Sequence, residues 1–449
     1  MKIAFHTLGC KLNYSETSQL REEYEQLGFT IVNFGEDTDA VIINTCTVTE
    51  NADTECRKII RRALKKSPNA FVAVTGCYAQ LQPEEIASID GVDAVFGTNE
   101  KLHLHTLIGN YSKRDTPLVC VDDLQDPNFA VAQSSDTDSR TRAFLKIQDG
   151  CNYNCSFCTI PLARGESRSL EYQAIPAQID SLIGKGYKEI ILSGINLGDY
   201  SHESRKFIDV VKYVNDVQLD VRFRLGSIEP NLLTTEIVDI VSNSNTIVPH
   251  FHIPLQSGSP ELLKLMRRRY KASYYQELIA SIKEIIPHAC IGGDVIVGFP
   301  GETDELFEES FMFIDSLPLS YLHVFTYSER ENTPAQSFPG KVESSKRKLR
   351  NARLRDLSEY KKSEFYKQSI GLTTKVIPER YNSDTTMWEG WTDNYVRCQF
   401  GADPNLVQKL YTVNLQSFDD KSYTVHAEMI DTPELNDHQS SYIPILLHS

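Results

Sequence analysis

Cys151-Asn-Tyr-Asn-Cys155-Ser-Phe-Cys158 sets three cysteines within eight residues. Three thiolates held this closely can occupy three corners of one metal centre. A structural zinc takes four protein ligands, and no fourth Cys or His stands nearby in the sequence. A cubane iron–sulfur cluster is also normally held by four cysteines. Three ligands on a cubane leave one iron open to a substrate or cofactor. The motif therefore reads as chemistry rather than as a structural staple.

The surrounding sequence has the rhythm of a parallel α/β fold. Strands are expected at Ala143–Ile147, Glu189–Leu192, Val221–Leu225, Val248–Pro254, Gly293–Val297 and Tyr321–Thr326. Helical sequence separates most of them, at Pro176–Ile183, Lys206–Asn215, Pro260–Arg268, Tyr274–Ile286 and Asp304–Leu317. Six such units predict a partial TIM-like (β/α)6 barrel with functional loops at the strand carboxyl ends. The cysteine motif follows the first strand. Ser193-Gly-Ile-Asn-Leu-Gly198, Ser227-Ile-Glu-Pro230, His252-Ile-Pro-Leu-Gln-Ser-Gly258 and Val295-Ile-Val-Gly-Phe-Pro-Gly-Glu302 follow later ones. One glycine-rich loop is an ordinary tight turn; a succession of loops at strand ends beside three cysteines is not. Phe157 could cover a cofactor ring.

Upstream, the first 110 residues predict an open parallel α/β sheet. Lys2–Leu8, Ala40–Asn44 and Phe71–Thr75 each run into a cysteine, at Cys10, Cys46 and Cys77. Ligands bind at the carboxyl ends of such strands, so these thiols are expected to converge, against the blander reading of three unrelated buried cysteines. Residues 111–141 read as a linker ending in the polar run Gln133–Arg142, with Cys120 a packed strand residue. Downstream, Ser344–Gln368 favours helix. Beyond Gly371, alternating runs at Tyr395–Phe400, Lys409–Leu415 and Ser422–Met429 predict a small all-β barrel of a kind that binds RNA or protein. From Thr432 the chain reads as a polar tail, and nothing accounts for the apolar Ile443–Leu447. Three domains are expected, at 1–125, 138–368 and 371–435, consistent with a length of 449 residues.

No apolar run approaches the roughly 20 residues of a membrane span. Met1-Lys-Ile-Ala-Phe-His enters strand-like sequence directly, so no signal peptide and a cytoplasmic location are expected. In that setting ten cysteines argue for metal ligands and buried thiols rather than disulfides. A net charge of −15 argues against a polyanionic partner, yet three basic runs stand out. They are Arg57, Lys58, Arg61, Arg62, Lys65 and Lys66; Arg267, Arg268, Arg269 and Lys271; and Lys346, Arg347, Lys348, Arg350, Arg353 and Arg355. A solvated helix face explains most such runs. Phosphate contact is the alternative, because it supplies most non-specific RNA affinity. Arg57, Arg61 and Arg268 are the candidate RNA cations, and Trp391 and Tyr395 the candidate stacking residues, unless they fill the small barrel's core. Cys56, Cys290 and Cys398 read as buried, and His250 and His252 as structural or supporting groups.

The segment Gln148-Asp-Gly-Cys-Asn-Tyr-Asn-Cys-Ser-Phe-Cys158 resembles the cluster loop of radical S-adenosylmethionine enzymes. The resemblance implies a 4Fe-4S cluster on Cys151, Cys155 and Cys158 whose open iron binds the amino and carboxylate groups of S-adenosylmethionine. One electron then cleaves that cofactor to a 5′-deoxyadenosyl radical. It also implies cofactor contacts from Phe157, Gly194, Asn196, Ser227, Glu229, Gln256 and Gly298, and leaves catalytic side chains beyond the cluster ligands unspecified.

Over nearly the whole chain the likeness narrows. Gly9-Cys10-Lys-Leu-Asn-Tyr-Ser-Glu-Thr17, Asn44-Thr-Cys46 and Gly390-Trp-Thr-Asp-Asn-Tyr395 resemble the methylthiotransferases, whose last domain is the TRAM barrel. By this resemblance Cys10, Cys46 and Cys77 hold an auxiliary 4Fe-4S cluster, one S-adenosylmethionine methylates a sulfur, and a second makes the radical. Gly9–Asn13, Gln148–Cys151 and Pro161–Gly165 look most like the branch acting on threonylcarbamoyl-adenosine in tRNA. The other branches act on isopentenyl-adenosine in tRNA or on an aspartate of a ribosomal protein. The implied partners are a tRNA anticodon stem-loop, an electron donor such as flavodoxin or ferredoxin, and a sulfur donor, with no membrane. A non-catalytic iron–sulfur RNA-binding protein is the reading from a different class.

Overall fold

The computed structural model describes residues 1–46, 50–124, 132–133, 141–406 and 409–430. The amino-terminal sheet contains β1 (Lys2–Thr7), β2 (Thr30–Val32), β3 (Ala40–Thr45), β4 (Phe71–Gly76), β5 (Ala94–Phe96) and β6 (Leu118–Cys120). They run parallel in the order β2-β1-β3-β4-β5-β6. Every residue of β3 and β4 is buried, as suits a sheet covered on both faces. Alternate side chains go to opposite layers: Val41, Ile43, Val72 and Val74 pack with Ile59, Ile60 and Ala63, and Ile42, Phe71 and Ala73 with Leu20 and Tyr24. The strand order reverses direction between β1 and β3. Such a switch point opens a crevice at the carboxyl ends, and Cys10 and Cys46 stand on its two sides.

Six parallel strands follow, at Arg142–Lys146, Glu189–Ser193, Arg222–Leu225, His250–His252, Cys290–Val297 and Tyr321–Thr326. Parallel bridges Phe223–Ile247 and Ser227–His252 join the third strand to the fourth, giving one curved sheet, the expected partial barrel. Its last strand is an edge. The helix Ser344–Gln368 covers it, with Ser358 Oγ accepting from Leu322 N (2.8 Å) and donating to Leu322 O (3.0 Å).

The carboxyl-terminal strands Thr373–Asn382, Met387–Thr392, Arg397–Gly401, Thr424–Met429 and Tyr411–Asp419 close into a barrel in that order. It seats against the amino ends of the larger barrel's strands. Arg222 donates to Asp393 Oδ1 (2.9 Å) and to the Trp391 carbonyl (2.9 Å), and Arg224 to the Asp393 carbonyl (3.1 Å). Glu189, fully buried, accepts from Arg222 Nε (2.6 Å) and Arg224 Nε (2.8 Å). Burial alone would raise this carboxyl, but the two guanidiniums hold it well below the usual range.

The two aromatic residues expected to stack with a base lie at this joint. The Trp391 and Tyr395 rings stack on each other at 4.5 Å, Arg224 lies over Tyr395 at 4.8 Å, and His250 lies beside it at 4.7 Å. Both rings are half-buried. Cys120 lies in β6, within the stretch expected to be linker. Residues 125–131 and 134–140 of that stretch lie outside the described residues, as do 431–449, including the tail from Thr432 and Ile443–Leu447. No described helix is long and apolar enough to cross a membrane.

Candidate active site

The Cys151–Cys158 loop is pinned from three sides. Cys151 N donates to Gly165 O (3.1 Å), Ser156 Oγ to Leu265 O (2.7 Å), and Ala335 N to Ser156 O (2.8 Å). Gly150 makes the turn possible: its φ is +70°, and a Cβ there would collide with the Glu166 carbonyl. Donors face the sulfurs, with Tyr153 N 3.4 Å from Cys151 Sγ, Ile160 N 3.5 Å from Cys158 Sγ and Arg268 Nη1 3.0 Å from Cys155 Sγ. Burial pushes the Cys151 thiol up to about 11 and Cys158 to about 12, and it raises Cys155 against the opposing pull of Arg268. Without metal these groups are neutral thiols at pH 7, so metal ligation must displace their protons.

The second trio converges at the switch point. Cys10 precedes α1 (Lys11–Gln26), Cys46 follows β3, and Cys77 begins α3 (Cys77–Leu81), which follows α2 (Glu50–Lys66) in the chain. Gly9, with φ +103°, lies so close to Cys46 that a Cβ would stand 2.7 Å from its Sγ. Gly76 presses equally on the Thr45 backbone, so the three loops share one place. Burial raises the Cys77 thiol, Arg164 and Lys101 oppose, and Cys10 adds to the rise. Among the described residues, neither trio brings its three sulfurs within 4.8 Å of one another. A tetrahedral zinc with 2.3 Å bonds would space its sulfurs about 3.8 Å apart, closer than either trio holds all three.

A cavity of about 280 Å³ opens beside Cys158, lined by Phe157, Gln256, Asp294, Ile296 and Phe325 among others. Gln148 joins the cysteine loop to the Asn196 loop. Its Oε1 accepts from Asn196 N (2.8 Å), and its Nε2 donates to Gly150 O (2.9 Å) and Ser167 Oγ (3.0 Å). Gly194 packs on Gln148, and the buried Asn196 amide lacks a well-formed hydrogen bond beside Tyr153. Ser227 Oγ lies 2.7 Å from His252 Nδ1, while Glu229 is ion-paired with Arg268. Gly298 stands apart: its N–H is taken by Glu302 (2.5 Å), and a Cβ there would meet the Arg347 side chain rather than a ligand.

His252, Asp294 and His323 form a polar layer on three neighbouring strands, their ligand atoms within 4.8 Å of one another. Asp294 Oδ1 lies 3.0 Å from His252 Nε2 and 3.2 Å from His323 Nδ1. Burial would raise the Asp294 carboxyl, but the two imidazoles hold it well below the usual range. The signal for this layer was the lone acid in Cys290-Ile-Gly-Gly-Asp-Val-Ile-Val297.

The basic runs divide. Arg268 is corrected as an RNA residue: its side chain is 3% exposed and committed to Glu229 and Cys155. Arg57 pairs with Glu85, while Arg61 is exposed. On the long helix, Lys346, Arg347, Arg350 and Arg353 pair with Asp304, Glu329, Glu302 and Glu308. Lys348 and Arg355, two turns apart, are free of ion pairs among the described residues and line a groove with Thr326 and Asn351.

Residues 2–97 match the family described as uncharacterized protein family UPF0004, and residues 145–314 match the Radical SAM superfamily. A threonylcarbamoyladenosine tRNA methylthiotransferase of Bacillus subtilis is 38% identical, covering 92% of this chain and 93% of that one. A tRNA-2-methylthio-N(6)-dimethylallyladenosine synthase of Clostridium botulinum is 32% identical over 75% of this chain and 76% of its own. The solved radical S-adenosylmethionine methyltransferase TsrM from Kitasatospora setae, with tryptophan and a cofactor analogue bound, shares the fold. Its TM-score is 0.52 and its identity 16%, over 75% of each chain.

Proposed function

The chain belongs to the radical S-adenosylmethionine methylthiotransferases, and we propose that it inserts a methylthio group at C2 of N6-threonylcarbamoyl-adenosine beside the anticodon of tRNA. The observation that carries this reading is the pair of three-cysteine sites meeting across one interface. Thr98 Oγ1 donates to Ala163 O (2.8 Å), and Arg164, from the helix that follows Cys158, reaches Asn13 of the helix that follows Cys10 (2.6 Å). Bound to these sites, two 4Fe-4S clusters and S-adenosylmethionine would supply one-electron C–H activation and a sulfur for transfer.

The chain's own groups position and shield. Gln148 fixes the cysteine loop against the Asn196 loop, and the Asn196 amide is available to the methionyl end of the cofactor. Phe157 and Gln256 wall the cavity beside Cys158. The His252–Asp294–His323 layer suits the carbamoyl and carboxylate arm of threonylcarbamoyl-adenosine better than the apolar arm of isopentenyl-adenosine. Higher identity to a relative named for the former substrate supports the same branch. Arg61, Lys348 and Arg355 are among the exposed cations that can meet RNA phosphates. The reading further requires an electron donor such as flavodoxin or ferredoxin, a sulfur donor, and a cytoplasmic location.

Two measurements test it. Anaerobically reconstituted protein given S-adenosylmethionine and dithionite should release 5′-deoxyadenosine; none would favour a non-catalytic iron–sulfur RNA-binding protein. Nucleoside mass analysis of tRNA from cells lacking the gene should show loss of methylthio-threonylcarbamoyl-adenosine. Loss of the methylthio-isopentenyl nucleoside instead would move the chain to the other tRNA branch.

A further inference from the structure

Arg164 is fully buried where the two cysteine sites meet. Its Nη1 donates to Glu16 Oε1 (3.0 Å) and Asp149 Oδ1 (3.0 Å), and its Nη2 to Asn13 Oδ1 (2.6 Å). Its Nε–H, equally buried, has no hydrogen-bond partner in the protein. Unmade buried donors are rare and costly, so this one calls for an acceptor that the polypeptide does not supply.

The charge around it makes the same demand. Arg164, Lys101 and Lys146 surround Glu16 and Asp149, and none of these five side chains is more than 3% exposed. Three of these side chains are cations and two are carboxylates, a crowding of charge in a dry interior that an added anion would stabilise. The cysteines are the anion's natural seat. Burial opposes the Arg164 charge, and Cys77, Glu16, Asp149 and Cys10 favour it in that order. The same guanidinium grips Asn13, whose Nδ2 donates to Thr45 O (2.8 Å) and Leu8 O (2.9 Å), the strand ends that lead into Cys46 and Cys10.

We propose that Arg164 is a positioning residue for the auxiliary site: its Nε–H donates to a sulfur of the cluster held by Cys10, Cys46 and Cys77, and its charge stabilises that anionic centre. The inference rests on the two-cluster reading above. Hydrogen bonds to cluster sulfurs and local charge set reduction potential, so the residue makes the auxiliary cluster easier to reduce.

The test uses the full-length chain with Cys151, Cys155 and Cys158 changed to Ala, so that only the auxiliary cluster can be reconstituted. Potential is read by redox titration followed by electron paramagnetic resonance. Arg164→Lys keeps the charge but replaces the fork with one compact ammonium. It should retain the iron yet bind the electron at least tenfold more weakly, a midpoint about 59 mV lower for a one-electron couple. If this variant does not load iron, the double variant Glu16→Gln with Arg164→Gln, which preserves the net charge of the network, is read against the same tenfold criterion. An unchanged potential and resonance signature in whichever variant loads iron overturns the role of Arg164, as does failure of both variants to load. Absence of any cluster in the Arg164 parent overturns the two-cluster reading itself.

Discussion

At the scale of single residues, the cysteine loop depends on what its neighbours lack. Gly150 has no Cβ to strike Glu166, and its positive φ is one that an L side chain adopts only under strain, at about 1–3 kcal/mol. Gly150→Ala should therefore lower iron at the first site while sparing the second, so bound iron falls to about half; full loading would show the turn to be tolerant. The cysteines themselves were legible because three thiols within eight residues are rare and specific. The partners of their neighbours were not. Arg268 sits in a basic run, yet it is buried against Glu229 and Cys155 because the Met266–Tyr270 turn faces the cluster loop.

At the scale of elements, periodicity found the six barrel strands and the helix Ser344–Gln368. It overextended the fourth strand, which ends at His252 because Pro249 and Pro254 flank it and supply no N–H for pairing. Three-residue strands such as β2, β5 and β6 are too short for alternation to register. The same helix carries a functional prediction. Most of its cations are neutralised by neighbouring acids, leaving Lys348 and Arg355 facing the groove. Changing both to Ala should weaken tRNA binding and reduce the slope of log affinity against log salt by about 1 per residue, without changing 5′-deoxyadenosine release. An unaltered salt slope would place the RNA elsewhere.

At the scale of the whole molecule, two buried ionic joints hold three domains in register. Glu189 beneath Arg222 and Arg224 ties the large barrel to the small one. Its folded-state pKa lies below that of the unfolded chain, so its contribution is present above roughly pH 4.3 and is lost as pH falls through the depressed value. Glu189→Gln should cost about 3–5 kcal/mol at neutral pH, since it strands two arginines, and should flatten the acid limb of the stability curve. Urea midpoints at pH 7 and at a series of values well below pH 4 check both outcomes.

Local pattern by itself determined the three-part α/β, barrel and all-β architecture, both cysteine trios and the likeness to the methylthiotransferases. The architecture follows from side-chain period and turn residues, the first trio from ligand spacing, and the second trio and the likeness from strand-end position and motif letters, all of which a chain carries along its length. Only the tertiary structure decided that Arg164 joins the two sites, that Trp391 and Tyr395 fill a joint, and that His252, Asp294 and His323 form one layer. Each of these depends on which distant residue occupies the facing position, and in the dry interior that partner decides whether a charge or a ring is structural support or a working group.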